Sequence, residues 1–83
     1  MGRKEKRVEA FNACRGVYPY AELVRLLADF GYTERSTNGG SSRKFVDENA
    51  KYIIRFHEPH PGNEVPYYVV KLVREHMADR GLI

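Results

Sequence analysis

The side chains able to do chemistry gather in one stretch of the 83-residue chain, residues 38–60. It reads Asn-Gly-Gly-Ser-Ser-Arg-Lys-Phe-Val-Asp-Glu-Asn-Ala-Lys-Tyr-Ile-Ile-Arg-Phe-His-Glu-Pro-His. His57 and His60 stand here with Ser42, Arg43, Lys44 and Arg55. An imidazole ordinarily titrates near neutrality, so it can take up or release a proton at working pH. Lys and Arg beside it can hold a phosphate and offset the charge that builds when that phosphate is attacked. The backbone amides of a glycine turn through Gly40 and Ser41 add donors for the same oxygens. RNA supplies its own nucleophile, the 2′-hydroxyl. A ribonuclease that uses no metal needs only a base, an acid and cationic stabilisation, and this stretch contains residues of each kind.

Other chemistries lack their signatures. His57 and His60 are separated by two residues in a proline-bound segment, and no Cys or carboxylate pattern completes a metal set. Gly39-Gly40-Ser41-Ser42 precedes a strand and lacks the lysine spacing of a phosphate-binding P-loop. No cofactor is implied. The single cysteine, Cys14, excludes an internal disulfide and reads as a small apolar side chain. No apolar run approaches the roughly 20 residues that span a bilayer. The charged amino terminus has no signal-peptide apolar core, so a cytoplasmic protein is expected.

Charge sharpens the picture. The net charge is +3 and the pI about 9.2. Residues 1–7 hold Arg3, Lys4, Lys6 and Arg7 against Glu5. Residues 35–57 hold Arg35, Arg43, Lys44, Lys51 and Arg55 against Asp47 and Glu48. The rest of the chain is slightly acidic. Clustered positive charge is the expected footprint of a polyanion contact, although ordinary solvated cations would give the same composition.

Elements must position these groups, and the chain is long enough for one small domain with a modest core. Residues 3–13 predict a short helix, with Val8 and Phe11 on one side. Residues 20–30 predict a stronger one: Leu23, Val24, Leu26, Leu27 and Phe30 form an apolar stripe, Pro19 suits the first helical position and Gly31 the position past the end. A strand begins at Tyr32–Glu34 and runs to about Ser36. Residues 42–47 and 52–57 predict an antiparallel hairpin about the turn at residues 47–50. Alternation places Phe45, Ile54 and Phe56 on one face and Ser42, Lys44, Arg55 and His57 on the other. Asn63 fits the N-cap of a last helix, with Pro66 in its first turn. Val65, Val69, Leu72, Val73 and Met77 form its apolar stripe, extended by Tyr68, and Gly81 closes it. The fold class is therefore α+β: a small domain with a three-stranded antiparallel sheet packed on helices, in the order helix, helix, strand, strand, strand, helix.

That order, together with three stretches, resembles the HicA toxins of bacterial toxin–antitoxin systems. The stretches are Ala-Glu-Leu-Val-Arg-Leu-Leu-Ala-Asp-Phe-Gly at 21–31, Gly40-Ser41-Ser42-Arg43-Lys44-Phe45, and His60-Pro61-Gly62-Asn63-Glu64-Val65 leading into the last helix. The opening Met1-Gly-Arg-Lys-Glu-Lys is similar to one branch of the family. The resemblance covers roughly residues 18–83 and leaves residues 1–16 as a basic helical extension of a single domain spanning 1–83. It implies a double-stranded-RNA-binding-like fold, cleavage of messenger RNA, and a cognate HicB-like antitoxin as partner. The family pattern reads Gly-Ser-His, the histidine being taken as catalytic. Here Ser42 stands at that place, and His60 matches the family's second, loop histidine.

Two readings of the site follow. In the first, His57 and His60 move protons, Ser42 adds a hydrogen bond, and Gly40, Ser41, Arg43, Lys44 and Arg55 bind RNA. In the second, the same fold binds RNA without cutting it. A third class, an interaction protein whose basic face meets an acidic partner, accounts for the charge alone.

Overall fold

A computed structural model describes residues 2–36, 42–59 and 62–83, the side chain of Ser36 excepted. Among the described residues, eight elements follow one another. They are α1 (Arg3–Ala13), β1 (Tyr18–Pro19), α2 (Tyr20–Asp29), β2 (Thr33–Ser36), β3 (Ser42–Asp47), β4 (Tyr52–His57), β5 (Glu64–Val65) and α3 (Tyr67–Asp79). The three-stranded antiparallel sheet has the order β2-β3-β4, and the helices pack on one of its faces, as the sequence predicts. Those three strands and the two inner helices begin and end within a residue or so of their sequence-based bounds, apart from the start of α3.

The core follows from the two periodicities. Leu23, Leu26 and Leu27 of α2 are fully buried, as are Val70 and Val73 of α3, with Val69 beside them. They meet Phe45, Ile54 and Phe56 from the sheet, whose alternate positions face the helices. Phe45 and Phe56 stack, with ring centroids 4.9 Å apart. Gly31 ends α2 at φ +92° and Gly81 follows α3 at φ +75°, backbone conformations in which a glycine escapes the penalty of a Cβ.

Three features depart from the sequence reading. The first concerns Asn63, expected as a helix N-cap. Its carbonyl instead accepts the N–H of Tyr20 at 2.8 Å, and Glu64–Val65 pairs with Tyr18–Pro19. This small clasp consumes the residues before Pro66, which becomes the N-cap residue of α3. The second is the place of Leu72 and Tyr68, expected on the buried stripe. They are 45% and 61% exposed, because the buried line runs through Val69, Val70, Val73 and Met77. The third is Pro19, which lies in β1 and acts as the N-cap residue of α2, one position before the first helical residue.

Helix α1 is joined to the rest by specific contacts. Phe11 is fully buried and meets Tyr18 edge-on at 5.5 Å. Arg7 pairs with Glu22 and Asp29 of α2. Arg74 of α3 donates to the carbonyls of Phe11 and Cys14 at 2.9 and 2.7 Å, adding a charged donor at the C-terminal end of α1.

Candidate nucleic-acid face and histidine site

The register of β3 and β4 fixes which side chains share a face. Ser42 lies directly opposite His57, and Lys44 opposite Arg55. Facing positions in an antiparallel pair place their Cβ atoms about 4.5–5.5 Å apart. All four are on the face turned away from the helices, because Phe45 and Phe56 occupy the other. His57 and Arg55 are exposed, while Ser42 and Lys44 are half-buried. The sequence reading thus brought these four together correctly, and the turn that sets the register has a visible cause. The Asp47 carboxylate accepts the N–H of Ala50 at 3.2 Å, and Lys51 takes φ +61°.

Arg43 belongs to the opposite face. Its neighbour across the hairpin is Phe56, and its guanidinium lies 3.2 Å from Glu58 and 3.8 Å from Glu34. Tyr20 donates to the same Glu34 at 2.6 Å. Burial raises the pKa of the Tyr20 phenol, and its hydrogen bond to Glu34 raises it further. The Glu58 carboxylate raises that of the Arg43 guanidinium. This cluster ties the exit of β4 to β2, β3 and α2. Period-two alternation already assigns Arg43 to the side of Phe45; charge alone had grouped it with Lys44. Gly40, Ser41 and His60 lie outside the described residues.

One cation on the outer face escaped the sequence reading. The pairing of β2 with β3 puts Arg35 opposite Lys44. A residue-by-residue register for β2 would have found it, but Thr37-Asn38-Gly39-Gly40 reads as a flexible connector or turn and leaves that register open.

The far end of the sheet holds a second polar group. Arg80 donates to Asp47 at 3.1 Å and to the Tyr32 hydroxyl at 2.8 Å. With its oxygen accepting from Arg80, the Tyr32 O–H points to His76 Nε2, 2.6 Å away. Burial lowers the pKa of the His76 imidazole and the Arg80 charge lowers it further, so Nε2 is available as an acceptor. The Ala50 N–H and then Arg80 hold the Asp47 carboxyl below its ordinary range. Tyr52, at the start of β4, lies under the Arg80 guanidinium at 4.0 Å. Next to this group, a groove of about 440 Å³ between β4 and α3 is lined by Ile53, Arg55, Leu72, Glu75 and His76, among others. Among the described residues, no three His, Cys, Asp or Glu side chains are grouped so as to hold a metal ion, and no helix is long and apolar enough to cross a membrane.

No curated protein and no solved structure matches the chain. The family model described as HicA toxin of bacterial toxin-antitoxin matches residues 20–78, from the first residue of α2 to within a residue of the end of α3. That span takes in the whole sheet, the clasp strand β5, the helices that back them and the Ser42–His57 row. The chain belongs to the HicA family of toxins of bacterial toxin–antitoxin systems, and its family implies an antitoxin partner.

Proposed function

We propose that the protein is an endoribonuclease that cleaves messenger RNA without a metal ion and is silenced by a HicB-like antitoxin. The observation that supports this most is the placing of Ser42 opposite His57, with Lys44 and Arg55 as the next pair on the same exposed face. In this reading an RNA phosphate sits over Lys44 and Arg55. The adjacent 2′-hydroxyl attacks phosphorus and gives its proton to His57. The bond to the 5′-oxygen breaks, and that oxygen takes a proton from His60. A 2′,3′-cyclic phosphate and a free 5′-hydroxyl result. Ser42 hydrogen-bonds a phosphate oxygen, and the backbone amides of Gly40 and Ser41 do the same. The two cations stabilise the charge that grows on the phosphorane. Arg43 acts from the other face, holding the β4 exit through Glu58 so that His57 keeps its place.

Expression in a bacterium tests the reading. The wild-type chain should arrest growth, and His57→Ala with His60→Ala should relieve the arrest. In vitro, an RNA with a single 2′-deoxy residue at the cleavage point should resist cutting there. Efficient cutting of DNA, or an intact RNA pool in arrested cells, would overturn the proposal. A second reading is favoured by one residue: Ser42 stands where the family carries its catalytic histidine, and a hydroxyl is a poor acid or base near neutral pH. In that reading the domain binds RNA without cleaving it. Salt-sensitive binding with no cleavage product would then be the result.

A further inference from the structure

The row beside Ser42 and His57 runs across all three strands and is entirely cationic. Arg35 on β2 faces Lys44 on β3, and Lys44 faces Arg55 on β4. Neighbouring strands lie about 4.8 Å apart, so the row spans about 10 Å at the backbone. Like charges directly opposite one another destabilise a sheet. Packing does not require them, since Arg35 and Arg55 are exposed. Among the described residues, Lys44 and Arg55 form no ion pair with a carboxylate. Arg35 does: it pairs with Glu48, in the turn that follows β3. Both partners of that pair are more than half exposed, at 51% and 60%. An ion pair in such a setting is weak, so a competing anion opens it easily. A phosphate suits the position, because a guanidinium can meet two of its oxygens at once.

We infer that Arg35, Lys44 and Arg55 form a phosphate track that lays an RNA strand across the β-strands, and that Glu48 occupies the Arg35 end of the track until RNA displaces it. The inference rests on the RNA reading above and adds two things to it. Arg35 becomes an RNA contact two strands away from the strand that carries His57. Glu48 becomes a built-in competitor that weakens binding. The direction of the strand follows as well. An RNA running along the row passes Ser42 and His57 one same-face step to the side.

The test uses the full chain and an RNA oligonucleotide made uncleavable by 2′-O-methyl groups, with affinity read by fluorescence anisotropy over a series of salt concentrations. Arg35→Gln should weaken binding roughly tenfold at low salt and reduce the slope of log affinity against log salt by about 1. Glu48→Gln should tighten binding roughly two- to fivefold. Glu9→Gln, on the exposed surface of α1, controls for the change in net charge and should tighten binding less than Glu48→Gln does. Opposite signs for the two partners of one ion pair are not what loss of a structural contact would give. Wild-type affinity for Arg35→Gln, or equal effects of Glu48→Gln and Glu9→Gln, would overturn the track while leaving RNA cleavage intact. Failure of the wild-type chain to bind RNA, with tight binding to an acidic protein partner instead, would overturn the track and the RNA reading together.

Discussion

Two residues carry most of the chemical argument from opposite ends of the sheet. Ser42 stands opposite His57, so a histidine placed there would face an existing imidazole across the β3–β4 pair. Ser42→His should raise the rate of RNA cleavage, measured on a defined RNA under single-turnover conditions. A rate at or below wild type would indicate that His57 does not work with a group at that position. At the other end, His76 is half-buried beside the Tyr32 hydroxyl, with Tyr52 at its edge, and burial and the Arg80 charge favour its neutral form. Its pKa is lower in the folded state than the ordinary 6.5 or so that it has when unfolded. The stability this gives is fully present above that ordinary value and is lost as pH falls through the folded one. The melting temperature should therefore decline between pH 7.5 and 5.5. In His76→Gln, which keeps a hydrogen-bonding group but does not titrate, the decline should be shallower. Equal slopes in the two proteins would rule out His76 as the cause. Loss of the Asp47 charge sets in only at more acidic pH, because its carboxyl is held below the usual range.

At the scale of elements, alternation and helical spacing made most of the architecture legible. Phe45, Ile54 and Phe56 had to share a face, so Ser42, Lys44, Arg55 and His57 had to share the other. Gly31 and Gly81 marked two helix ends. What escaped the sequence depended on partners far along the chain. The Tyr18–Pro19 and Glu64–Val65 segments are too short to show a period, and only their meeting makes them strands. Arg35 could be placed opposite Lys44 only once β2 was registered against β3. The seating of α1 depends on Arg74, a residue sixty positions away from one of the carbonyls it serves. Arg74→Ala should destabilise the protein by about 1–3 kcal/mol, since carbonyls at the end of α1 lose a charged donor. Phe11→Ala should cost about 3–5 kcal/mol. In a domain of this size each kcal/mol lowers Tm by about 4–8 °C. Thermal and denaturant melts check both. An unchanged Tm for Phe11→Ala would mean that α1 is not part of the cooperative unit, although it precedes the span that the family model matches.

Across the whole molecule, exposed and buried charges are divided between the two faces of the sheet. The outer face gathers solvent-facing cations around His57. The inner face spends its charges in pairs: Arg43 with Glu58 and Glu34, and Arg80 with Asp47. This division lets the outer face keep an unfavourable row of like charges while the fold is held elsewhere. It also explains why the overall charge of +3 conveys little by itself. The cations that matter are the ones the register leaves on the outside.

The β1–β5 clasp has a consequence for the order of events in folding. Its two segments are separated in sequence by α2 and the entire three-stranded sheet, whereas β2 pairs with β3 and β3 with β4, each the neighbouring strand along the chain. The loop it closes is the longer one, and the entropy of closing it is recovered only when Val65 reaches the core. The sheet should assemble first and the clasp should shut afterwards, on the native side of the rate-limiting barrier. Val65→Ala should then accelerate unfolding while leaving the folding arm of a denaturant chevron almost unmoved. A slowed folding arm would place the clasp inside the nucleus instead.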